Sequence, residues 1–582
     1  MKATSEDKPH WVLILISKWM IIIGLILWSS RLQAQNFLNL SFEYASPRGF
    51  PLAWEVNEGK GAPSSIRVDS TQSFDGRKSL IFTAQQAPML LAGLFFSVER
   101  LKGHTLTLTG QIKIDSLQDG EARWFHYDYG RRSFGFSDQA VTKTTNWQPF
   151  RYSFNVPEDA QGEGIVPGLK VNGTGKVYLD AVRVELDGQE LLDTPPSLKP
   201  LSTKQQAWLN RTVVPLRSLD PNDPVDDLTV LKRHIGPSRL VGLGENSHGS
   251  GSLFQVKHRL IQYLVEKMGF TVIAMEAPAP EADLINRYVQ GGEGSPAQVT
   301  QLLGFKSWQT KEVLSMIEWM RAYNQSHPDS PVEFRGFDLQ SQEIPLQNLA
   351  RYGEKNDSTL LELVNKVTAT LRSKPLNDSL RTVAYQQVQV IIAHLKDQKQ
   401  SSENKGILEQ LQHDADILAQ SIALPFLKNR REWMAQNIRW LVDQHPKNVR
   451  MVIWAANGHI SKQGVNMGHY LHDWYGKEYF AIGSTFNQGT YSIYGSPGFF
   501  AVETPYPGTY EYLLNQCQYP DFILNLSAIQ KQDEGHWIKQ QLGFRFLETE
   551  TQLNQFRSMS ITEHFDALIH LRTSIRSTYI NP

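Results

Sequence analysis

Four apolar runs in this chain end on residues that can hold or move a proton. Leu240-Val241-Gly242-Leu243-Gly244 leads into Glu245, with His248 three positions later. Val272-Ile273-Ala274-Met275 leads into Glu276, and Phe334-Arg335-Gly336-Phe337 into Asp338. Met451-Val452-Ile453-Trp454-Ala455-Ala456 leads into Asn457 and His459. A neutral imidazole beside a carboxylate can take a proton from water as that water attacks an ester carbonyl. Such a base contributes ~10²–10⁴-fold, so positioning and oxyanion stabilisation must supply the rest. The same two histidines and three carboxylates equally suit a divalent cation that activates the same water. Spacing alone leaves both open. Taken singly, Asp338 also reads as a helix cap and His459 as a satisfied core histidine.

For these residues to meet, the four strands must lie in one sheet and point the same way. Ligands of open parallel sheets bind outside the carboxyl ends of the strands. The surrounding pattern supplies such a sheet, because apolar strands alternate with helical runs after residue 206. Leu253 to Met268 carries apolar residues at helical spacing and stops at Gly269. Residues 348–444 are almost wholly helical in pattern and predict a helical lobe. The expected fold of 206–582 is therefore α/β, a mostly parallel sheet flanked by helices. Ser247 lacks the first glycine of a Gly-x-Ser-x-Gly elbow, so a serine-acyl route has little support.

Residues 36–190 read differently. Runs such as Ser79–Thr83, Thr105–Thr109, Arg151–Val156 and Lys176–Asp180 alternate threonine and β-branched residues with apolar ones. Short turn-bounded strands of this kind predict an antiparallel all-β sandwich. Trp124, Phe125, Tyr127 and Tyr129 are candidates for stacking on sugar rings, or equally core and cross-strand aromatic pairs. Three prolines between Asp193 and Leu201 predict a stiff linker over 191–205.

Two resemblances refine this picture. Asn39–Glu43, Trp54, Gly76–Leu80 and Trp147–Phe150 resemble jelly-roll domains of the carbohydrate-binding, galactose-binding-like type. That resemblance implies a structural calcium at Glu43 and Asp180, and carbohydrate as a partner. Further on, Gly242–Ser250, the strand ending in Glu276, Asn286-Arg287-Tyr288-Val289, Trp308, Gly336–Gln340, Met434–Asn437, Trp454–His459, Met467-Gly468 and His564–Ala567 resemble the erythromycin esterase family. Its best-known members hydrolyse the lactone of macrolide antibiotics, with a histidine acting on water. The resemblance makes His248 the general base, Glu245 its acidic partner and Glu276 a second active-site carboxylate. Lys257 stands where relatives commonly carry arginine, and from a helix it would face the crevice and stabilise an oxyanion. His459 matches the second histidine of a His-Asn-x-His motif whose first position here is Ala456. Asp338, Asn457, Tyr288 and Trp308 become expected substrate-binding residues. The substrate would be a small ester or lactone, with no cofactor required.

Composition bounds the rest. Lys+Arg number 58 against Asp+Glu 59, which gives no electrostatic footprint for nucleic acid. A single cysteine, Cys517, excludes an intramolecular disulfide framework. Lys2 and Lys8, the apolar run Trp19–Trp28 and Ala34 have the order of a secretory signal over 1–34. The expected product is exported, periplasmic or secreted, with no membrane span once the signal is cut; an uncleaved anchor is the alternative. Retention of Glu245, His248 and Glu276 favours a hydrolase. Ala456 favours a ligand-binding protein on a degenerate scaffold, and a hydrolase for a different bond is a third reading.

Overall fold

A computed structural model describes residues 37–580 apart from 59–63, 145, 163, 196–197, 399–403, 428–429, 494–497, 531–533 and 548–554. The expected signal segment, 1–34, lies outside the described residues. The chain divides into two compact units, with the division between Leu198 and Lys199; residues 540–543 and 557–559 group with the first unit. Within the expected linker, Thr203 already starts a helix, Thr203–Thr212. Ser202 caps it by accepting from the Gln205 backbone N–H while Gln205 reaches back.

The first unit is antiparallel throughout. Its two longest strands, Ser79–Leu94 and Gly164–Leu186, pair from Leu80↔Leu179 to Gly93↔Gly168, with register shifts between Ala84 and Leu90. Around one half, 174–186, gather the strands Ser65–Asp69, Thr105–Gln118 and Gln148–Asn155. Around the other half gather Trp54–Asn57, Ala122–Asp128 and Ser133–Phe136. Strands that bend through bulges and change layers make the corners of a sandwich. Alternate residues fill the space between the layers: Leu80, Phe82, Leu106, Leu108, Leu169 and Val171 are fully buried.

In the second unit, six parallel strands run in the order Ala567–Ser574, Tyr479–Tyr491, Leu240–Glu245, Met451–Ala456, Val272–Pro278 and Glu333–Asp338. Phe522–Asn525 and then Val214–Pro215 extend one edge, each antiparallel to the strand before it. The central strands are buried along their whole length, as the helix-covered faces of a parallel sheet require. Five helices, Glu343–Asn356, Ser358–Arg372, Asp378–Asp397, Lys405–Leu427 and Arg430–Asp443, follow the Glu333–Asp338 strand. Four of them close a core of their own around Leu349, Val364, Val388 and Leu418. The fold is the expected α/β sheet with a helical lobe, preceded by an all-β unit. Among the described residues, no helix is long and apolar enough to cross a membrane.

Candidate functional site

The Leu240–Glu245 strand lies between Met451–Ala456 and Tyr479–Tyr491, and its carboxyl end opens into the crevice. Gly244 stands here because a Cβ would lie 2.4 Å from Asn457 Oδ1. Asn457 uses both ends of its amide on the next strand: Nδ2 donates to the Ser484 carbonyl at 2.7 Å, and Oδ1 accepts from the Ser484 N–H at 3.0 Å. It therefore pins the crevice floor rather than offering its amide to substrate, a correction to its expected role.

Glu245 is buried and serves two partners. Its Oε1 lies 3.0 Å from His248 Nδ1. Its other oxygen accepts from Lys257 Nζ, which sits 4.2 Å from the centroid of the Trp454 ring. Lys257 belongs to the helix Gly251–Met268, and helical side chains lean toward the N-terminus, here back onto Glu245. The expectation that Lys257 faces the crevice is thus corrected: its side chain has no exposed surface and stands behind the carboxylate. Burial pulls its ammonium down to about 8, against the opposing pull of Glu245.

His248 is held from the side as well. The Trp308 ring meets it edge-on, with centroids 4.8 Å apart, and Trp308 Nε1 donates to the Glu276 carbonyl at 2.7 Å. Trp308 is 1% exposed, so it props the histidine instead of binding substrate, a second correction. Tyr288 is a third. It lies near the far end of the helix Ala279–Val289, donates to Glu318 Oε1 at 2.7 Å and carries Arg321 on its ring.

The second arm of the site centres on Glu276. Its Oε1 lies 3.2 Å from His459 Nε2 and accepts from Arg430 Nη2 at 2.9 Å. Arg430 Nε donates to Asp338 Oδ1 at 2.9 Å, and Gln340 Nε2 donates to Asp338 Oδ2 at 3.1 Å. Although burial opposes it, the neighbouring His459 and the Arg430 guanidinium hold the Glu276 carboxyl well below the usual range. The guanidinium is held charged by Asp338 and Glu276 against its own desolvation. Sequence reasoning missed Arg430. Its one visible trace is the pair Arg430-Arg431 just before the Met434–Asn437 motif.

Glu245, His248, Glu276, Asp338 and His459 thus come to one end of the sheet, and Asn246, Ser247, Ala456, Gly458, Phe546 and Leu547 complete the pocket beside His248. Among the described residues, no group of three or more His, Cys, Asp or Glu is arranged to hold a metal ion. In the first unit, Glu43 Oε1 accepts from the backbone N–H groups of Arg77 and Lys78, at 2.6 and 3.1 Å. Asp180 Oδ2 accepts from those of Phe74 and Asp75, at 2.6 and 3.0 Å. The two residues expected to hold calcium therefore brace one turn through its amides. Trp124 and Phe125 are buried, and Trp124 stacks on Phe150 inside the sandwich; Tyr127 and Tyr129 are half-buried.

A carboxylate-oriented histidine at the carboxyl edge of a parallel sheet is an arrangement found in α/β hydrolytic enzymes. The chain belongs to the erythromycin esterase family, whose model matches residues 265–574, more than half of its length. It is similar to erythromycin esterase type II of Escherichia coli, 24% identical over 54% of this chain and 86% of that protein. It is also similar to the putative hydrolase YbfO of Bacillus subtilis, 23% identical over 47% of this chain and 70% of that protein. A Bacillus cereus protein of solved structure aligns over 65% of this chain and 100% of its own, at 26% identity and a TM-score of 0.58.

Proposed function

We propose that this protein hydrolyses a lactone or other carboxylic ester with water activated by His248. The observation that carries this reading is the Lys257–Glu245–His248 chain. With Nδ1 facing a carboxylate, the imidazole keeps Nε2 as its proton acceptor. Water attacks the carbonyl as Nε2 takes its proton, and the imidazolium returns that proton to the leaving alkoxide. Arg430, the charged group of the second arm, supplies the electrostatic stabilisation first expected of Lys257.

The reaction is proposed without a metal. Lys257 already holds Glu245, and Arg430 bridges Glu276 and Asp338, so a divalent ion would have to displace these cations. The deciding experiment screens the purified protein against lactones and simple esters, with and without chelator, beside His248→Ala. Turnover that survives chelation and is lost in the variant is expected. Chelation that abolishes turnover, restored by one metal, would overturn the metal-free route.

Ala456 favours a second reading, a ligand-binding protein on the same scaffold, and ligand binding without turnover in that screen would establish it. Export through residues 1–34 remains part of the proposal, supported by their order of charge and hydropathy. Cell fractionation that finds the protein in the cytoplasm would refute it. Glycan binding by the first unit is supported by the rings of Phe134 and Phe136, 40% and 39% exposed and stacked 5.7 Å apart. Unaltered migration in polysaccharide-containing gels would refute that.

A further inference from the structure

The two sides of the crevice differ in what they offer a substrate. One side carries Glu276, His459 and Arg430. The pocket beside His248 is lined by Phe546 and Leu547, with Gly458 and with Ala456, whose N–H donates to Glu276 Oε2 at 3.4 Å where the two sides meet. The polar side chains of that pocket are largely engaged elsewhere. Both ends of the Asn457 amide bond to Ser484. Asn246 Nδ2 donates to Thr485 Oγ1 at 3.3 Å, with Oδ1 buried, and Ser247 Oγ accepts from the Gly249 N–H at 3.1 Å. Apart from the base and its carboxylate, the pocket presents mainly carbon.

This wall is built rather than incidental. Arg545 is fully buried, and its guanidinium donates to the carbonyls of Phe486, Asn487 and Glu503 and to Gln555 Oε1, at 2.7 to 3.0 Å. Its backbone N–H donates to Glu511 Oε1 at 2.9 Å, the same oxygen that accepts from Thr485 Oγ1 at 2.6 Å. Thr485 in turn holds Asn246. The Leu547 N–H donates directly to the Asn246 carbonyl at 2.9 Å, two residues before His248. Wall and base loop are thus joined twice, once directly and once through Thr485 and Glu511.

We propose that Phe546 and Leu547, fixed by Arg545, form the acyl-binding wall of the hydrolase and select esters with a short hydrocarbon acyl group. The inference rests on the proposed function. The orientation follows from charge. The negative charge that develops on the carbonyl oxygen belongs beside Arg430 and His459, and the acyl chain then runs toward Phe546 and Leu547. Gly458 sets the depth: a Cβ there would sit 3.9 Å from Phe546 Cζ, so larger side chains would grow into the acyl space. Arg545 acts as a positioning residue, because it touches only protein groups.

The test compares nitrophenyl acetate and nitrophenyl butyrate. The wild type should favour butyrate, and Phe546→Ala should lower the butyrate-to-acetate ratio of kcat/KM about tenfold, the scale of one or two methylenes. Gly458→Val should lower the same ratio by filling the space, an independent check if the first variant folds poorly. Arg545→Lys should lower kcat and this ratio together while far-ultraviolet circular dichroism stays unchanged. A ratio unaltered in both Phe546→Ala and Gly458→Val overturns the wall while leaving the hydrolase reading intact. Absence of ester turnover in the wild type overturns both.

Discussion

Lys257 and Glu245 form a fully buried ion pair directly behind His248, and neither side chain has exposed surface. A buried pair is weak evidence for stability, because desolvation offsets much of its attraction. Its value here is positional. The ammonium holds one carboxylate oxygen, so the other stays aimed at His248 Nδ1. Lys257 also rests on the Trp454 ring, which fixes it in turn.

Replacing His248 by alanine should lower kcat/KM by ~10²–10⁴-fold or more, the contribution of a positioned base. The histidine side chain is 16% exposed, so its loss leaves the core intact and the thermal midpoint close to that of the wild type. Ester turnover at the wild-type rate in a folded variant would remove His248 from the mechanism.

Arg430→Gln should cost both activity and stability. It strips the cation from two buried carboxylates, Glu276 and Asp338, and breaking such a buried arrangement costs about 3–5 kcal/mol. The pH dependence has a definite sign. Glu276 titrates lower in the native state than its ordinary value of 4.5, so its contribution is present above that value and fades as pH falls below it. The difference in unfolding free energy between wild type and variant should therefore be largest near neutrality and narrow in acid. Chemical denaturation at several pH values measures it, and a gap that widens in acid would contradict the pairing.

Much of the site was legible because a parallel sheet turns a one-dimensional pattern into a location. Polar residues ending apolar runs fall at one edge, which is why Glu245, Glu276, Asp338 and His459 converge. Arg430 escaped because it returns to Asp338 across 92 residues and to Glu276 across 154, from the start of a lobe helix. No local pattern marks such a return. Lys257 was placed on the right helix but on the wrong side of Glu245, since helical spacing gives a face and not the reach of the side chain. The family resemblance implies substrate roles for Trp308 and Tyr288, whereas burial and their hydrogen bonds make them supports. In the all-β unit, separate strand segments are visible in the sequence, but the register shifts between Ala84 and Leu90 within one long strand are not.

Trp124→Ala tests whether the first unit's aromatic run is structural. The ring is fully buried and lies 5.5 Å from Phe150, nearly parallel to it. Truncation should destabilise this unit by about 3–5 kcal/mol, while ester hydrolysis by the second unit keeps its rate. Calorimetry paired with an activity assay separates the two. An unchanged unfolding profile would mean that the ring is not part of the core.

Lys257→Arg should shift the alkaline limit of activity. In the wild type, Lys257 loses its proton at about 8, leaving Glu245 without its cation and His248 less firmly oriented. Activity should therefore decline as pH rises through that value. A guanidinium stays charged far beyond it and can stack on Trp454, so the decline in the variant should move to higher pH. Lys257→Met, which removes the charge at every pH, should be impaired across the whole range. Stability has the opposite sign over part of this window. The native ammonium titrates below its ordinary value of 10.5, so between about 8 and 10.5 the unfolded chain binds more protons, and this group alone makes the folded state more stable as pH rises. Loss of activity without loss of folding on the alkaline side is thus the signature to look for. Matching alkaline limbs of kcat/KM in wild type and Lys257→Arg would show that the ammonium does not govern the base.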